Sequence, residues 1–209
     1  SQVSPARPKP PAAIRALPAT VVEDIYEIFS PTSPRNPFRT KALQWRNYLM
    51  FLLMLHLGLR RGEIAILPAD AIKSDFDIAT GGEKFWLNVA ESPYEDEDSR
   101  FNAPSLKTAH SRRQLPLTEE IVSVSDILLG NYRHGAPHSY LFGSQHGKAL
   151  SLRSIHRVFE VANEHLSPSA KKALAARNKL GITAHDLRHT CAVFRLGRYV
   201  SLGDELDLA

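Results

Sequence analysis

The spacing of hydrophobic residues along the chain predicts helices over most of its length. The first helical pattern begins after Thr20, where Glu23 lies three residues on in the arrangement of a capping box, and it continues to Phe29. From about residue 40 to residue 57 apolar residues run almost all round the helix, which is typical of a helix buried on all sides. A short helix is predicted to end at Leu67, and further helical patterns cover residues 118–129, 151–165, 169–178 and 184–199.

Two short stretches alternate between apolar and polar residues, as β-strands do. In residues 84–90, Phe85, Leu87 and Val89 alternate with Trp86 and Asn88, and residues 113–117 alternate again. Residues 84–117 therefore predict an antiparallel sheet, and the acidic segment 91–99 between the strands predicts a solvated surface loop. The predicted fold class is α+β, mostly helical with a small antiparallel β-sheet.

Proline is concentrated at the start of the sequence. Residues 1–18 contain five prolines and three basic residues, and such density favours an extended, weakly structured segment. We therefore predict a Pro-rich linker or arm over residues 1–18 and one folded domain over residues 19–209.

Composition excludes several classes of protein. Hydrophobic content of 43% and charged content of 23% are ordinary globular values, which excludes disorder of the whole chain. The single cysteine, Cys191, cannot form an internal disulfide, excludes cysteine-based zinc and iron–sulfur sites, and favours a cytoplasmic location. The most apolar run, residues 48–59, is too short for a membrane span, and residues 1–18 have no apolar signal-peptide core. A net charge of +4 fits nucleic acid or another anionic partner, although many soluble enzymes share it.

The first motif that could carry chemistry is GLRRGEI, at residues 58–64. Arg60 lies between two glycines directly after the buried helix, where the backbone can turn sharply and present the guanidinium. Glu63 could pair with Arg60 or cap the next helix. An ordinary surface turn with a capping glutamate fits the same pattern.

The second motif is LKTAHSRRQLPL, at residues 106–117. Lys107 begins a polar stretch that leads through the basic pair Arg112 and Arg113 into a predicted strand. This order predicts a hairpin tip that could reach a phosphate backbone, and a solvated hairpin without a binding role fits it as well.

The third motif is TAHDLRHT, at residues 183–190. His185 and Arg188 share one helix face, and an imidazole beside a guanidinium suits acid–base chemistry on a phosphate. Three other interpretations remain: a metal pair of His185 and His189, a metal-dependent phosphohydrolase dyad of His185 and Asp186, and simple helix packing. No further His or carboxylate motif converges on these residues, so no metal site is predicted.

In this order and spacing, the three motifs resemble the catalytic domain of the tyrosine recombinases, the phage integrase family. GLRRGE is similar to the family's first arginine motif, KTAHSRRQLPL to its lysine-bearing β-hairpin, and HDLRHT to its His-x-x-Arg box. The resemblance covers residues 21–199. It implies a tyrosine-type site-specific recombinase of a mobile element or phage, acting in DNA integration and recombination.

The resemblance also implies a mechanism. In this family a tyrosine attacks a DNA phosphodiester to form a 3′-phosphotyrosyl link, which a 5′-hydroxyl later reverses, without metal, nucleotide or other cofactor. Arg60 and Arg188 match the arginines that bind the non-bridging oxygens, and Lys107 matches the general acid for the leaving 5′-oxygen. His185 matches the histidine that assists proton transfer at the nucleophile, whereas Glu63 is expected to be a structural support.

The implied partner is double-stranded DNA, with no membrane, and the complete protein is a possible homotetramer on DNA. Candidate phosphate contacts are Arg112, Arg113, Arg153 and Arg157, for each of which surface solvation is the alternative. The linker fits a family in which a separate core-binding domain precedes the catalytic domain.

The position of the tyrosine departs from the family pattern. The family places its nucleophile farther beyond the box arginine than this sequence extends, and the last tyrosine here, Tyr199, lies 11 residues after Arg188. A continuous helix would separate their Cα atoms by ~16 Å, too far for attack unless Gly197 breaks the helix. We therefore expect a catalytic domain truncated before its nucleophile and inactive as it stands. A degenerate integrase that binds DNA and regulates recombination without cutting is the alternative, and a type IB topoisomerase relative is a further one.

Overall fold

The long apolar helix predicted after residue 40 lies at the centre of the fold. In the computed structural model, which describes residues 16–79, 81–90 and 112–206, this helix is α2, Lys41–Leu57. The Thr40 hydroxyl caps it by accepting from the Leu43 amide at 3.2 Å. All residues from Leu49 to Leu55 are buried, and both α4 and α7 pack against this helix. The prediction of a helix buried all round therefore holds for the second half of α2, whereas Lys41 and His56 are exposed.

Six other helices and three strands surround α2 in the described part of the chain. In chain order the elements are α1 Ala19–Phe29, α2 Lys41–Leu57, α3 Arg61–Ile66, β1 Ile72–Asp77, β2 Gly82–Val89, β3 Arg113–Pro116, α4 Glu119–Tyr132, α5 Leu152–Glu164, α6 Pro168–Ala175 and α7 Ala184–Leu206. The α+β class, mostly helical with a small antiparallel sheet, is as predicted.

Aromatic packing joins α1 and α5 to the central helix. The rings of Phe29 and Phe51 stack with centroids 4.9 Å apart, and Phe159 of α5 contacts Phe29 with centroids 6.2 Å apart. Asp24 of α1 accepts from Arg35 at 2.7 Å and from the Ser167 amide before α6 at 2.8 Å. These contacts hold α1, α2, α5 and α6 in one core.

The three strands form one antiparallel sheet in the order β1-β2-β3. Leu87 pairs with Ile72 on one side and with Leu115 on the other, and Val89 pairs with Arg113. The β2–β3 pairing confirms the predicted sheet, whereas β1 was not predicted. Its sequence, IKSDFD, has only Ile72 and Phe76 as apolar residues, and Phe76 is exposed, so no alternating pattern marks it.

Two helix ends differ from the predictions. The capping box at Thr20 is wrong: α1 begins at Ala19, because the Pro18 carbonyl already accepts from the amides of Val21 and Val22 at 3.0 and 3.1 Å. The predicted end of the last helix at residue 199 is also wrong: α7 continues to Leu206, and it passes through Gly197 without a break. A single glycine disfavours a helix by about 1 kcal/mol, which neighbouring residues can offset.

Some predictions fall outside the described residues, namely most of the Pro-rich arm and the acidic segment 91–99. Within the described part, no helix has the length and apolar content needed to cross a bilayer.

Candidate active site

The sharp turn after α2 brings the first motif against α7. Gly58 ends α2 with a left-handed φ of 67°, and a Cβ there would lie 3.3 Å from Cys191 Sγ and 3.8 Å from Arg188 Cγ. Glycine is therefore required for both the backbone conformation and the close approach of α7. The turn brings Arg60 near Arg188, the arginine of the third motif.

Arg60 occupies the position before the first turn of α3. Its backbone amide donates to Glu63 Oε2 at 2.8 Å, and its Nη1 atom lies 3.3 Å from Glu63 Oε1. The Arg60 side chain is nevertheless 46% exposed, so its guanidinium is oriented by Glu63 and still accessible to a ligand.

Glu63 is the buried carboxylate of the site, with only 3% of its side chain exposed. Arg113 of β3 binds it through two hydrogen bonds, Nη1 to Oε1 and Nη2 to Oε2, both of 2.9 Å. Burial alone would raise the pKa of Glu63. The hydrogen bonds from Arg113 and from the Arg60 amide, together with both positive charges, hold that pKa below its ordinary value.

Arg188 of α7 completes an arginine cluster, defined here as Arg60, Arg113 and Arg188. Its Nη1 atom donates to the Gly58 carbonyl, which fixes the guanidinium at the turn. Burial lowers the pKa of Arg188, as do the positive charges of Arg60 and Arg113, while the negative charge of Glu63 opposes the shift. Two guanidiniums therefore contact one carboxylate and a third interacts with it through charge, so the surplus of positive charge favours an anion.

His185 lies one helical turn before Arg188 on α7. Its Nε2 atom is 2.7 Å from Nε2 of His189, and the two rings meet edge to face with centroids 4.1 Å apart. One imidazole must donate and the other must accept in such a contact, so the pair restricts the tautomers of both rings. The His185 side chain is exposed and accessible to a ligand.

Asp186 has a structural position rather than one in the site. Its Oδ2 atom accepts from the amide and hydroxyl of Thr183 at 2.9 and 2.8 Å, which caps α7, and its Oδ1 atom binds Lys179. The carboxylate is buried with these partners, which does not match a metal dyad with His185. Across residues 16–79, 81–90 and 112–206, no group of three or more His, Cys, Asp or Glu side chains could hold a metal ion.

The β2–β3 pair shows how far the second motif can be followed. Lys107 lies outside the described residues. Arg112 is exposed immediately before β3, whereas Arg113 is only 27% exposed because its guanidinium points to Glu63. The two neighbouring arginines, which the sequence places in one class, therefore have different surroundings.

Arg153 and Arg157 are not brought to the arginine cluster by any described contact. Both are exposed on α5, and Arg157 forms ion pairs with Glu160 at 3.0 Å and Glu164 at 4.0 Å. The hydrogen bond and charge of Glu160, with a smaller effect of Glu164, raise the pKa of Arg157.

Comparison with known proteins identifies a matching family. The sequence model of the Phage integrase family matches residues 16–196. A comparison with curated proteins finds no match to the sequence.

Several solved recombinase structures resemble the fold. The Tn1549 transposon integrase, in complex with transposon right end DNA, has 18% sequence identity and a TM-score of 0.58, and the alignment covers 94% of this chain and 56% of that one. XerA recombinase has 19% identity and a TM-score of 0.52, with 91% and 53% covered. XerH site-specific recombinase, bound to its difH substrate, has 17% identity and a TM-score of 0.54, with 88% and 44% covered.

The chain spans about half the length of these solved structures. At such identities the likeness shows the fold, which is that of the tyrosine recombinase catalytic domain. The family match covers most of the chain, including the first and third motifs and the strand that carries Arg113. The chain therefore belongs to the phage integrase family.

Proposed function

We propose that the chain is the catalytic domain of a site-specific DNA recombinase, which cleaves and rejoins DNA through a phosphotyrosyl intermediate in the complete protein. The observation that carries the proposal is the arginine cluster around buried Glu63. Its charges interact, since the positive charge of Arg60 lowers the pKa of Arg188, and the Arg60 guanidinium is partly exposed. Membership of the family and the DNA-bound neighbours support the same function.

Arg60 and Arg188 bind the non-bridging oxygens of the scissile phosphate in this proposal. A phosphodiester carries one negative charge, and the pentavalent transition state carries more. Guanidiniums fixed in advance can each contribute a few kcal/mol of preferential transition-state binding. The mutual repulsion of Arg60 and Arg188 supports this role, since an anion between them would offset it.

Proton transfer is assigned to His185 and Lys107. His185 assists proton transfer at the attacking hydroxyl, and its contact with His189 supports this role because one Nε2 atom must donate while the other accepts. Lys107 protonates the leaving 5′-oxygen. Its place in the second motif, which also contains Arg113 of the arginine cluster, supports this assignment.

Double-stranded DNA contacts in this proposal come from exposed arginines. Arg112 follows the segment that contains Lys107, and Arg153 and Arg157 contribute charge from α5. Arg113 contributes its charge to the same surface while its Nη atoms stay bound to Glu63. The complete protein acts as a homotetramer on DNA, as the family resemblance implies.

Tyr199 is not the nucleophile in this proposal. Because α7 is continuous from Ala184 to Leu206, the Cα atoms of Arg188 and Tyr199 are ~16 Å apart along one helix. In-line attack needs reacting atoms ~3–3.5 Å apart. We propose that the nucleophilic tyrosine belongs to a segment of the complete protein outside these 209 residues.

The position of Tyr199 favours a second candidate function. With Tyr199 ~16 Å along α7 from Arg188, the chain also fits a regulator that occupies recombination sites without cutting them. The two functions differ in one product, a covalent protein–DNA adduct.

DNA binding is tested first with the 209-residue chain. Fluorescence anisotropy on a short labelled duplex should show affinity that falls steeply as salt rises. Arg188→Ala should weaken binding by about tenfold or less, since one of several phosphate contacts is lost. Lys172→Gln, which removes one charge from an exposed position on α6, is the matched control and should bind DNA as the parent does. Affinity that does not respond to salt would contradict the proposal.

Cleavage is tested with a protein extended at its C-terminus along the native reading frame. A nicked suicide duplex should trap a covalent adduct on denaturing gels, and Arg188→Ala should abolish it. A full yield of adduct from Arg188→Ala would overturn the assignment of the His-x-x-Arg box. DNA binding without adduct from the extended protein would favour the regulator.

A further inference from the structure

A second cationic site lies away from the arginine cluster. A cavity of about 400 Å³ opens between the start of α2, the end of α4 and the segment that follows α4. Its lining includes Arg46, Arg133, His134 and His138, and contains no acidic side chain. The remaining walls are polar or apolar, among them Thr40, Leu43, Tyr132 and Ser144. A volume of this size falls within the usual range for small-molecule sites.

Arg46 enters this cavity as a cation without a carboxylate partner in the described part of the chain. Its Nη1 atom donates to the Gly143 carbonyl at 2.9 Å, and its Nε and Nη2 atoms donate to Asn47 Oδ1 at 3.0 and 2.8 Å. Burial lowers the pKa of Arg46 to about 10, so the group remains charged at neutral pH. One N–H on each Nη atom has no acceptor among the described residues, although a buried cation is strongly stabilised by an anion.

Arg133 contributes the second cation. Its Nε atom donates to the Tyr140 carbonyl at 3.0 Å, and its Nη2 atom donates to the carbonyls of His138 and Tyr140 and lies 3.1 Å from His138 Nδ1. Its Nη1 atom makes no hydrogen bond within residues 16–79, 81–90 and 112–206. Burial lowers the pKa of Arg133 as well. Carbonyl partners hold both guanidiniums in place without neutralising either.

We propose that this cavity binds a phosphate group, from a free phosphomonoester or from a DNA backbone. A phosphate accepts several hydrogen bonds from guanidiniums in a fixed geometry, and its charge balances two arginines. The remaining volume and the apolar walls accommodate the organic part of a phosphomonoester. Arg46 lies about 16 Å along α2 from the end of that helix, so this site is separate from the arginine cluster.

The experiment uses two-dimensional NMR of the 209-residue chain with inorganic phosphate and with a nucleoside monophosphate. Saturable shifts should occur at backbone amides of residues 40–46 and 133–147. Shifts that never saturate, or shifts confined to residues 58–63 and 185–191, would overturn the proposal. The latter result would indicate binding at the arginine cluster only, and the proposed recombinase site would stand.

Two variants of Arg133 extend the test. Arg133→Gln should weaken phosphate binding at least tenfold. Arg133→Lys keeps the positive charge but lacks the paired N–H donors of a guanidinium, so its affinity should lie between those of the parent and Arg133→Gln. Lys172→Gln should bind phosphate as the parent does. Equal affinity of Arg133→Gln and the parent would overturn the proposal. If Arg133→Gln does not fold, the map of shifts in the parent still decides it.

Competition with duplex DNA identifies the source of the phosphate. If a duplex displaces the nucleotide and Arg133→Gln also weakens DNA binding, the ligand is a backbone phosphate. If the nucleotide binds equally in saturating duplex, the ligand is a free phosphomonoester. Both results support a phosphate site at this cavity.

Discussion

Glu63 accepts hydrogen bonds from Arg60 on its own segment and from Arg113, fifty residues later in the chain. With 3% of its side chain exposed, it depends on these partners to remain ionised. The contact links the turn that presents Arg60 to the strand that follows Lys107. A single carboxylate thereby orients residues from two of the three motifs.

The neighbouring arginines of β3 provide a matched pair of substitutions. Arg113→Gln should lower the free energy of unfolding by about 2 kcal/mol, because it removes two charge-assisted hydrogen bonds from a buried carboxylate. Arg112→Gln changes an exposed side chain and should lower it by about 0.5 kcal/mol or less. Urea unfolding of both variants measures the difference. Equal effects would contradict the anchoring role of Arg113.

Sequence alone predicted Arg60, Lys107, His185 and Arg188 as one site, with Glu63 as a structural support. It placed Arg112 and Arg113 together as phosphate contacts, because both are basic residues at the start of one strand. Only the register of β3 shows that Arg113 faces Glu63. Pairing between residues far apart in the chain has no local pattern, which is why the sequence did not reveal it.

At the scale of elements, the joint between α2 and α7 positions Arg188. Gly58 combines a left-handed φ with a close approach to Cys191, and the Gly58 carbonyl accepts from Arg188. A side chain at position 58 would therefore strain the backbone of the turn and also press against α7.

Gly58→Ala should destabilise the fold more than a glycine substitution that is strained by φ alone. Gly81 has a similar φ of +69°, and a Cβ added there would meet nothing within 4 Å, so Gly81→Ala is the matched control. The control should lower the free energy of unfolding by about 1 kcal/mol, and Gly58→Ala by about 1 kcal/mol more. Thermal and urea unfolding measure both variants.

Removing the sulfur tests the steric part of this effect. Cys191→Ala combined with Gly58→Ala should recover part of the loss, because Sγ is the atom that a Cβ at Gly58 would meet at 3.3 Å. Strict additivity of the two substitutions would contradict a direct contact.

The predicted elements succeeded where the apolar pattern was long. The long apolar pattern of α2 predicted a buried helix, and the alternation of β2 was visible from Phe85 to Val89. By contrast, β1 is a strand because it pairs with β2 along six positions, and none of its own residues is buried. The start of α1 was misjudged because a proline carbonyl, rather than a threonine hydroxyl, occupies the first capping position.

At the scale of the whole molecule, two ion-paired carboxylates link distant segments. Glu63 joins α3 to β3, and Asp24 joins α1 to Arg35 and to the start of α6. Burial alone would raise the pKa of Asp24, but hydrogen bonds from Arg35 and Ser167 hold that pKa below its ordinary value of 3.8.

These shifts set the pH dependence of stability. A carboxylate whose folded pKa is lowered stabilises the fold fully above its unfolded value and loses that contribution as pH falls through the folded value. With ordinary values of 4.5 for Glu63 and 3.8 for Asp24, stability should hold at pH 6 and fall progressively below about pH 4.5. Urea unfolding across this range, with Glu63→Gln and Asp24→Asn, measures the effect, and each variant should show a shallower fall. An unchanged slope in both would contradict the assignment.

The register of β3 also bears on how this enzyme family can diversify. Val89 and Arg113 are paired across the sheet, and Arg113 is bound to α3, so both ends of the intervening connection are held independently of its sequence. The entropy of closing a connection changes by only about 0.6 kcal/mol when its length doubles. Insertions or exchanges between these two anchors should therefore leave the arginine cluster intact. In engineering terms, residues 91–111 form an exchangeable cassette only if the replacement keeps Lys107, the proposed general acid, while the phosphate-binding residues stay in place.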